Sequence, residues 1–244
     1  MGETVAFLSG KGGTGKTSVC AGVAAALARE GLQVLCIDCD VGLRNLDIAL
    51  GLADTASLSF MDICKGNYIL EQISPHPRFP TLWFLTAPVN MTADNIDREA
   101  FSELLQRARE KYDFVFLDAA AGVESAFDLV ADFADRVLVI TGPHPAAVRD
   151  ASRVGQLLEL KGKLNVRLIV NRVNPKLFNT INCTVDDIMD DAGLPLLGII
   201  PDDVSMTLAA AYGTPLLLFS KKGAAAACKR IARRLRGIPT PITL

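Results

Sequence analysis

Gly10, Gly12, Gly13 and Gly15 surround two lysines, Lys11 and Lys16, and two hydroxyls follow at Thr17 and Ser18. The string Gly10-Lys11-Gly12-Gly13-Thr14-Gly15-Lys16-Thr17 satisfies G-x-x-x-x-G-K-[ST], a pattern that carries meaning only between a strand and a helix. Those flanks are present: the apolar run Val5-Ala6-Phe7-Leu8 precedes it and an alanine-rich stretch follows. Glycines let successive backbone N–H groups turn toward one point, and the positive N-terminus of the helix adds to that field. Lys16 then reaches the β- and γ-phosphates of a nucleotide, where it serves binding and catalysis together, and the Thr17 hydroxyl holds Mg²⁺.

Three carboxylates have matching chemistry. Asp118 caps the apolar strand Phe114-Val115-Phe116-Leu117, where an unpaired charge is costly to bury; holding Mg²⁺ through water explains that position, and a strand-end turn residue is the plainer alternative. Asp38 and Asp40 end the run Gln33–Ile37 two residues apart, so on a continuing strand both face one side. They read either as positioned acids or as a solvated turn pair.

The elements that position these residues alternate. Strand-length apolar runs at Thr4–Leu8, Gln33–Ile37, Leu82–Thr86, Phe114–Asp118, Arg136–Thr141, Val166–Val170, Leu196–Ile200 and, weakly, Pro215–Leu218 are separated by helix-period segments. Helices are expected over Lys16–Glu30, Asp97–Lys111, Ala146–Lys161, Val185–Ala192, Val204–Tyr212 and Ala224–Arg236. This is the signature of an α/β P-loop fold: one mainly parallel sheet with helices on both faces, in a single domain over residues 1–236, with a non-helical tail at 237–244. In such a sheet, ligands bind beyond the carboxyl ends of the strands, where all three aspartates and the glycine loop fall.

The second lysine narrows the class. Lys11-Gly12-Gly13-Thr14-Gly15-Lys16-Thr17 resembles the deviant Walker A motif K-G-G-x-G-K-T. Asp38-Cys39-Asp40-Val41-Gly42-Leu43-Arg44-Asn45-Leu46-Asp47 resembles the D-x-D-x-G-L-R-N-L-D segment of MinD-type septum-site ATPases, and Asp118-Ala119-Ala120-Ala121-Gly122-Val123-Glu124 gives a third match. The resemblance covers the chain to about Leu235. It implies an ATP hydrolase with Mg²⁺, slow without an activator, that forms a homodimer with ATP and acts with MinC- or MinE-like regulators to place the division septum. It assigns Lys11 to the partner's nucleotide in trans, Asp40 to the attacking water and Asp38 to the magnesium shell. Gly122 is implied at the γ-phosphate, Arg44, Asn45 and Glu124 at the dimer interface, and Asn171, Arg172, Pro201 and Asp202 around adenine, with the Asn171 amide pairing the base N6 and N7. Asn and Pro-Asp are also ordinary turn formers.

The chain departs from the family at three places. Ala119-Ala120 replaces a small polar residue and proline, and Thr141-Gly142-Pro143-His144 replaces T-x-P-E. The sequence Ile238-Pro239-Thr240-Pro241-Ile242-Thr243-Leu244 stands where an amphipathic tail is usual, and its prolines forbid a helix. The segment Ala224–Arg236 has an apolar stripe (Cys228, Ile231, Leu235) opposite a basic face. It reads as a core-packed last helix or as an interfacial helix making weak membrane-surface contact.

Composition bounds the rest. Of the 244 residues, 50% are hydrophobic and 21% charged, with net charge −2, so nothing pulls the whole chain toward nucleic acid. The six cysteines are scattered, and in an extended strand Cys36 and Cys39 face opposite ways. Reduced thiols in a cytoplasmic protein, peripheral at most to the inner membrane face, are expected, since no signal peptide or spanning run appears. His76 and His144 are expected to be plain loop residues. Two other functions stay open: a ParA-type or flagellar-number regulator, favoured by the basic C-terminal cluster, and a weakly hydrolysing scaffold.

Overall fold

The computed structural model describes the chain except residues 42, 43, 89–91, 124, 182, 183 and 244, and except the side chains of 125, 177, 179 and 181. Eight strands form one sheet: β1 (Glu3–Leu8), β2 (Val34–Cys39), β3 (Pro75–His76), β4 (Phe79–Leu85), β5 (Phe114–Ala119), β6 (Arg136–Thr141), β7 (Val166–Val173) and β8 (Leu196–Pro201). Their spatial order is β3-β4-β2-β5-β1-β6-β7-β8, and every pair is parallel except β3 with β4. The helices are α1 (Lys16–Arg29), α2 (Leu46–Leu50), α3 (Phe60–Cys64), α4 (Arg98–Lys111), α5 (Ser125–Phe133), α6 (Pro145–Leu160), α7 (Pro175–Ile181), α8 (Val185–Ala192), α9 (Val204–Ala211), α10 (Leu216–Phe219) and α11 (Gly223–Leu235).

Strand alternation builds two cores. Leu35, Ile37 and Cys39 of β2 face the layer of α3 to α8, whereas Val34 and Cys36 face α1, α2 and α9 to α11. Cys36 and Cys39 therefore lie on opposite faces, and the described cysteines are all free thiols; Cys183 lies outside the described residues. The same alternation puts Asp38 on the face of Cys36, and Asp118 on the face of Phe116, the side covered by α1. Gly22 lets α1 approach α11 closely, because a Cβ there would lie 2.7 Å from Cys228 Sγ.

Several expectations are corrected. Pro215–Leu218 is not a strand: Pro215 opens the short helix α10, since an apolar run of four has no period that separates helix from strand. The proline cluster 75–80 holds β3, which pairs antiparallel with β4. His76 there is buried, not a plain loop residue; Arg78 N–H donates to its Nδ1 (3.0 Å) and its Nε2–H donates to the Leu50 carbonyl (2.8 Å). Burial lowers its pKa, against that hydrogen bond. Asp38 and Asp40 do not continue one strand, because β2 ends at Cys39 and the Asp40 N–H turns back to Asp38 Oδ1 at 2.9 Å. The apolar stripe of α11 is buried against α1 and β8, as in the core-packed reading, so the stripe itself does not face a membrane and the side toward solvent is basic. Among the described residues no helix is long and apolar enough to cross a membrane.

Candidate nucleotide-binding site

The glycine loop joins the end of β1 to α1. Gly15 caps α1 in the left-handed region (φ 88°) and supplies no side-chain cap, and the first turn of the helix carries no acid. Its orphan N–H groups and positive dipole are thus available to an anion. A side chain at Gly15 is excluded twice, by that φ and by Asn171 Nδ2, which a Cβ would meet at 2.3 Å.

Lys16 lies at the first position of α1, with Asp118 at the end of β5 beside it. Its Nζ sits 2.6 Å from Asp118 Oδ1 and 3.3 Å from Thr17 Oγ1, and both charged residues are buried. Burial works against the ammonium, but the charge and hydrogen bond of Asp118 hold its pKa above the ordinary lysine value. Asp38 stands directly across the β2–β5 register from Asp118. Burial first, and then the Asp118 charge, push Asp38 up to about 7, although the N–H groups of Asp40 and Leu46 oppose this. Asp40 is half-buried; burial raises its pKa, with Lys16 lowering and Asp118 raising it, so it belongs to the same electrostatic cluster.

This donor set suits Mg²⁺. Asp118 Oδ2 is buried without a hydrogen-bond partner among the described residues, Asp38 lies beside it carrying a destabilised charge, and the Thr17 hydroxyl is close. No group of three or more His, Cys, Asp or Glu among the described residues encloses a metal alone.

A cleft of about 820 Å³ continues from Gly15 and Ser18 to Asn171, Arg172, Pro201 and Asp202. Its far wall is α9, through Val204, Met206, Thr207 and Ala210, which sequence reasoning missed although that helix starts directly after Pro201-Asp202. Asn171 and Arg172 do not follow β7 but form an irregularity inside it, with Arg172 at φ 59°. Asn171 Nδ2 donates to the Thr14 carbonyl at 2.7 Å, and its buried Oδ1 has no partner among the described residues. Oδ1 remains as an acceptor for a base amine and the second Nδ2–H as a donor, the pair of groups that the expected N6 and N7 pairing needs.

The remaining candidates are placed as follows. Gly10, Gly12 and Gly13 shape the loop, Thr14 is buried beneath it, and Lys11 is exposed on its outer side. Gly122 (φ 102°) donates its N–H to the Ser9 carbonyl at 2.9 Å, a contact no motif announced, so that group is engaged within the chain. Arg44 (φ 42°) donates from Nε to Thr86 Oγ1 at 2.8 Å, and Asn45 is exposed at the start of α2. Glu124 lies outside the described residues.

A family model described as the CobQ/CobB/MinD/ParA nucleotide binding domain matches residues 5–216. The septum site-determining protein MinD of Synechocystis sp. is 36% identical over 244 residues, spanning 99% of this chain and 92% of that protein. The MinC:MinD cell division protein complex of Aquifex aeolicus superposes with TM-score 0.91 at 34% identity, covering 99% of this chain and 98% of that one. The septum site-determining protein MinD of Pyrococcus horikoshii OT3, solved with Mg-ADP, has TM-score 0.83 and 26% identity, with 96% of each chain covered.

Proposed function

We propose a function from one premise: the chain belongs to the CobQ/CobB/MinD/ParA family of nucleotide-binding proteins, and within it to the MinD septum-site group. It is a MinD-like ATP hydrolase that controls placement of the division septum, and it binds nucleotide with Mg²⁺. The observation that carries this reading is the meeting of Lys16, Asp118 and Asp38 beside an uncapped helix N-terminus.

ATP is the nucleotide proposed. Residues 10 to 18 hold its phosphates, Asn171 Oδ1 accepts from the adenine amine, and Arg172, Pro201 and Asp202 line the base cleft. Asp38, Asp118 and Thr17 would hold Mg²⁺, which when bound would offset phosphate charge. Asp40 orients the attacking water, a placement role of the kind that dominates phosphoryl transfer. Lys11 acts across a homodimer on the partner's γ-phosphate, in the manner of an arginine finger. Arg44, Asn45 and Glu124 contribute to that interface, and hydrolysis is slow until an activator engages. By analogy with the MinC:MinD complex of Aquifex aeolicus, a MinC-like regulator is the proposed partner, with a MinE-like activator and a location at the cytoplasmic membrane face.

Lys11→Ala tests this. Its exposed side chain makes no ion pair among the described residues, so folding and ATP affinity should hold while steady-state hydrolysis falls at least about a hundredfold. Undiminished turnover in this variant would remove the trans role; undetectable turnover in wild type with every candidate activator would favour a scaffold.

A further inference from the structure

The basic residues at the end of α11 are not used by the nucleotide site. They open onto a second cavity, of about 510 Å³, at the opposite edge of the sheet. Glu3, Phe114 and Arg136 are the first residues of β1, β5 and β6, and with Arg167 near the start of β7 they line it. The glycine loop lies past the other end of β1, about 20 Å away for a six-residue strand.

Arg136, Arg167, Arg234 and Arg236 face this cavity with one carboxylate, Glu3, and the amide residue Asn165. Two of the arginines are committed. Arg136 pairs with Glu3 (Nε to Oε1, 2.8 Å) and donates from Nη1 to the Leu235 carbonyl at 2.7 Å. Arg236 pairs with Glu30. Asp135, near Glu3, is held by Arg109 and the Thr4 N–H. Among the described residues the other two arginines have no acidic partner. Among the described residues Arg167 donates only to its neighbour's carbonyl, at Val166, and Arg234 Nη1 is buried with no hydrogen-bond partner. Burial holds the Arg234 pKa below the usual arginine value, as for a cation taken from water without a counter-ion.

A buried donor on a charged group is costly when unmade, and guanidinium forks match phosphate oxygens bidentately. We propose that Arg167 and Arg234, with Asn165 as a further donor, form a binding site for a phosphate group on the face opposite the nucleotide. Two uncommitted cations match the charge of a phosphate dianion. Free phosphate and the headgroup of an anionic lipid share that chemistry.

The test uses the full chain with its nucleotide site saturated by Mg-ADP. Inorganic phosphate is titrated by calorimetry against chloride at equal ionic strength, in wild type and in Arg167→Gln/Arg234→Gln. In parallel, sedimentation is measured with phosphatidylcholine vesicles that contain or lack phosphatidic acid. Saturable phosphate binding weakened at least tenfold in the double variant supports a free-anion site. Pelleting only with phosphatidic acid, lost in the double variant, supports a headgroup site. Equal binding by both proteins, or no binding of either probe by wild type, overturns the proposal. Arg234→Gln alone reads the site without ligand: in chloride its thermal midpoint should match or exceed that of wild type, because an uncompensated buried donor is removed, whereas a clear drop would mark Arg234 as structural and count against the proposal. ADP affinity should be unchanged throughout, which separates this site from the nucleotide reading.

Discussion

Lys16 and Asp118 each hold the other's charge inside the molecule, and breaking such a pair from one side leaves a buried ion behind. Asp118→Asn should therefore destabilise the nucleotide-free protein by about 3 kcal/mol. Much of that loss should return when ADP phosphates give Lys16 a new partner; thermal midpoints with and without ADP measure both. Asp38 gives a pH dependence of opposite sense to most carboxylates. Its pKa is about 7 in the folded chain, but an unfolded aspartate releases its proton near pH 4. Between those values the folded state binds more protons, so this contribution to stability is fully present below about pH 4 and lost as pH rises to 7. The span is on the order of 4 kcal/mol at most. Denaturant midpoints of the metal-free protein, compared with Asp38→Asn, should show that slope in wild type and a flatter one in the variant.

The α1–α11 contact shows how an element is positioned by one small residue. Gly22→Ala should raise helix propensity and still destabilise by about 1–3 kcal/mol, because the new methyl overpacks against Cys228 Sγ. Adding Cys228→Ala should recover part of it, as urea midpoints would show. Elements of this kind were legible in the sequence when they were long and flanked by breakers: the helix from Lys16 and the strands carrying Asp38 and Asp118 stand where periodicity put them. Short elements were not. Leu46–Leu50 and Phe60–Cys64 span little more than one turn, too few residues for a period, and for the same reason Pro215–Leu218 reads as a strand where the helix Leu216–Phe219 stands. The site was legible to the extent that strand ends converge in a parallel sheet. The Asn171 bond to Thr14, the Gly122 bond to Ser9 and the α9 wall depend on loop paths that no local pattern encodes.

At the scale of the molecule, the sheet separates two ligand-directed edges, with glycines and carboxylates at one and arginines at the other. On the proposed dimer mechanism, light scattering should give a monomer mass in Mg-ADP and twice that mass in Mg-ATP, most clearly in a variant such as Asp40→Ala that hydrolyses slowly. The Gly122 N–H bond to the Ser9 carbonyl bears on that distinction. A third phosphate that recruits this N–H must displace an oxygen of the same chain, a rival that never diffuses away and whose concentration is set by the fold. On the proposed γ-phosphate role of Gly122, the share of an ATP-over-ADP preference carried by this N–H is the difference between two grips on one hydrogen, smaller than either alone. On that proposed role the margin carried by this contact is narrow, which leaves a binding partner of modest affinity able to tip it.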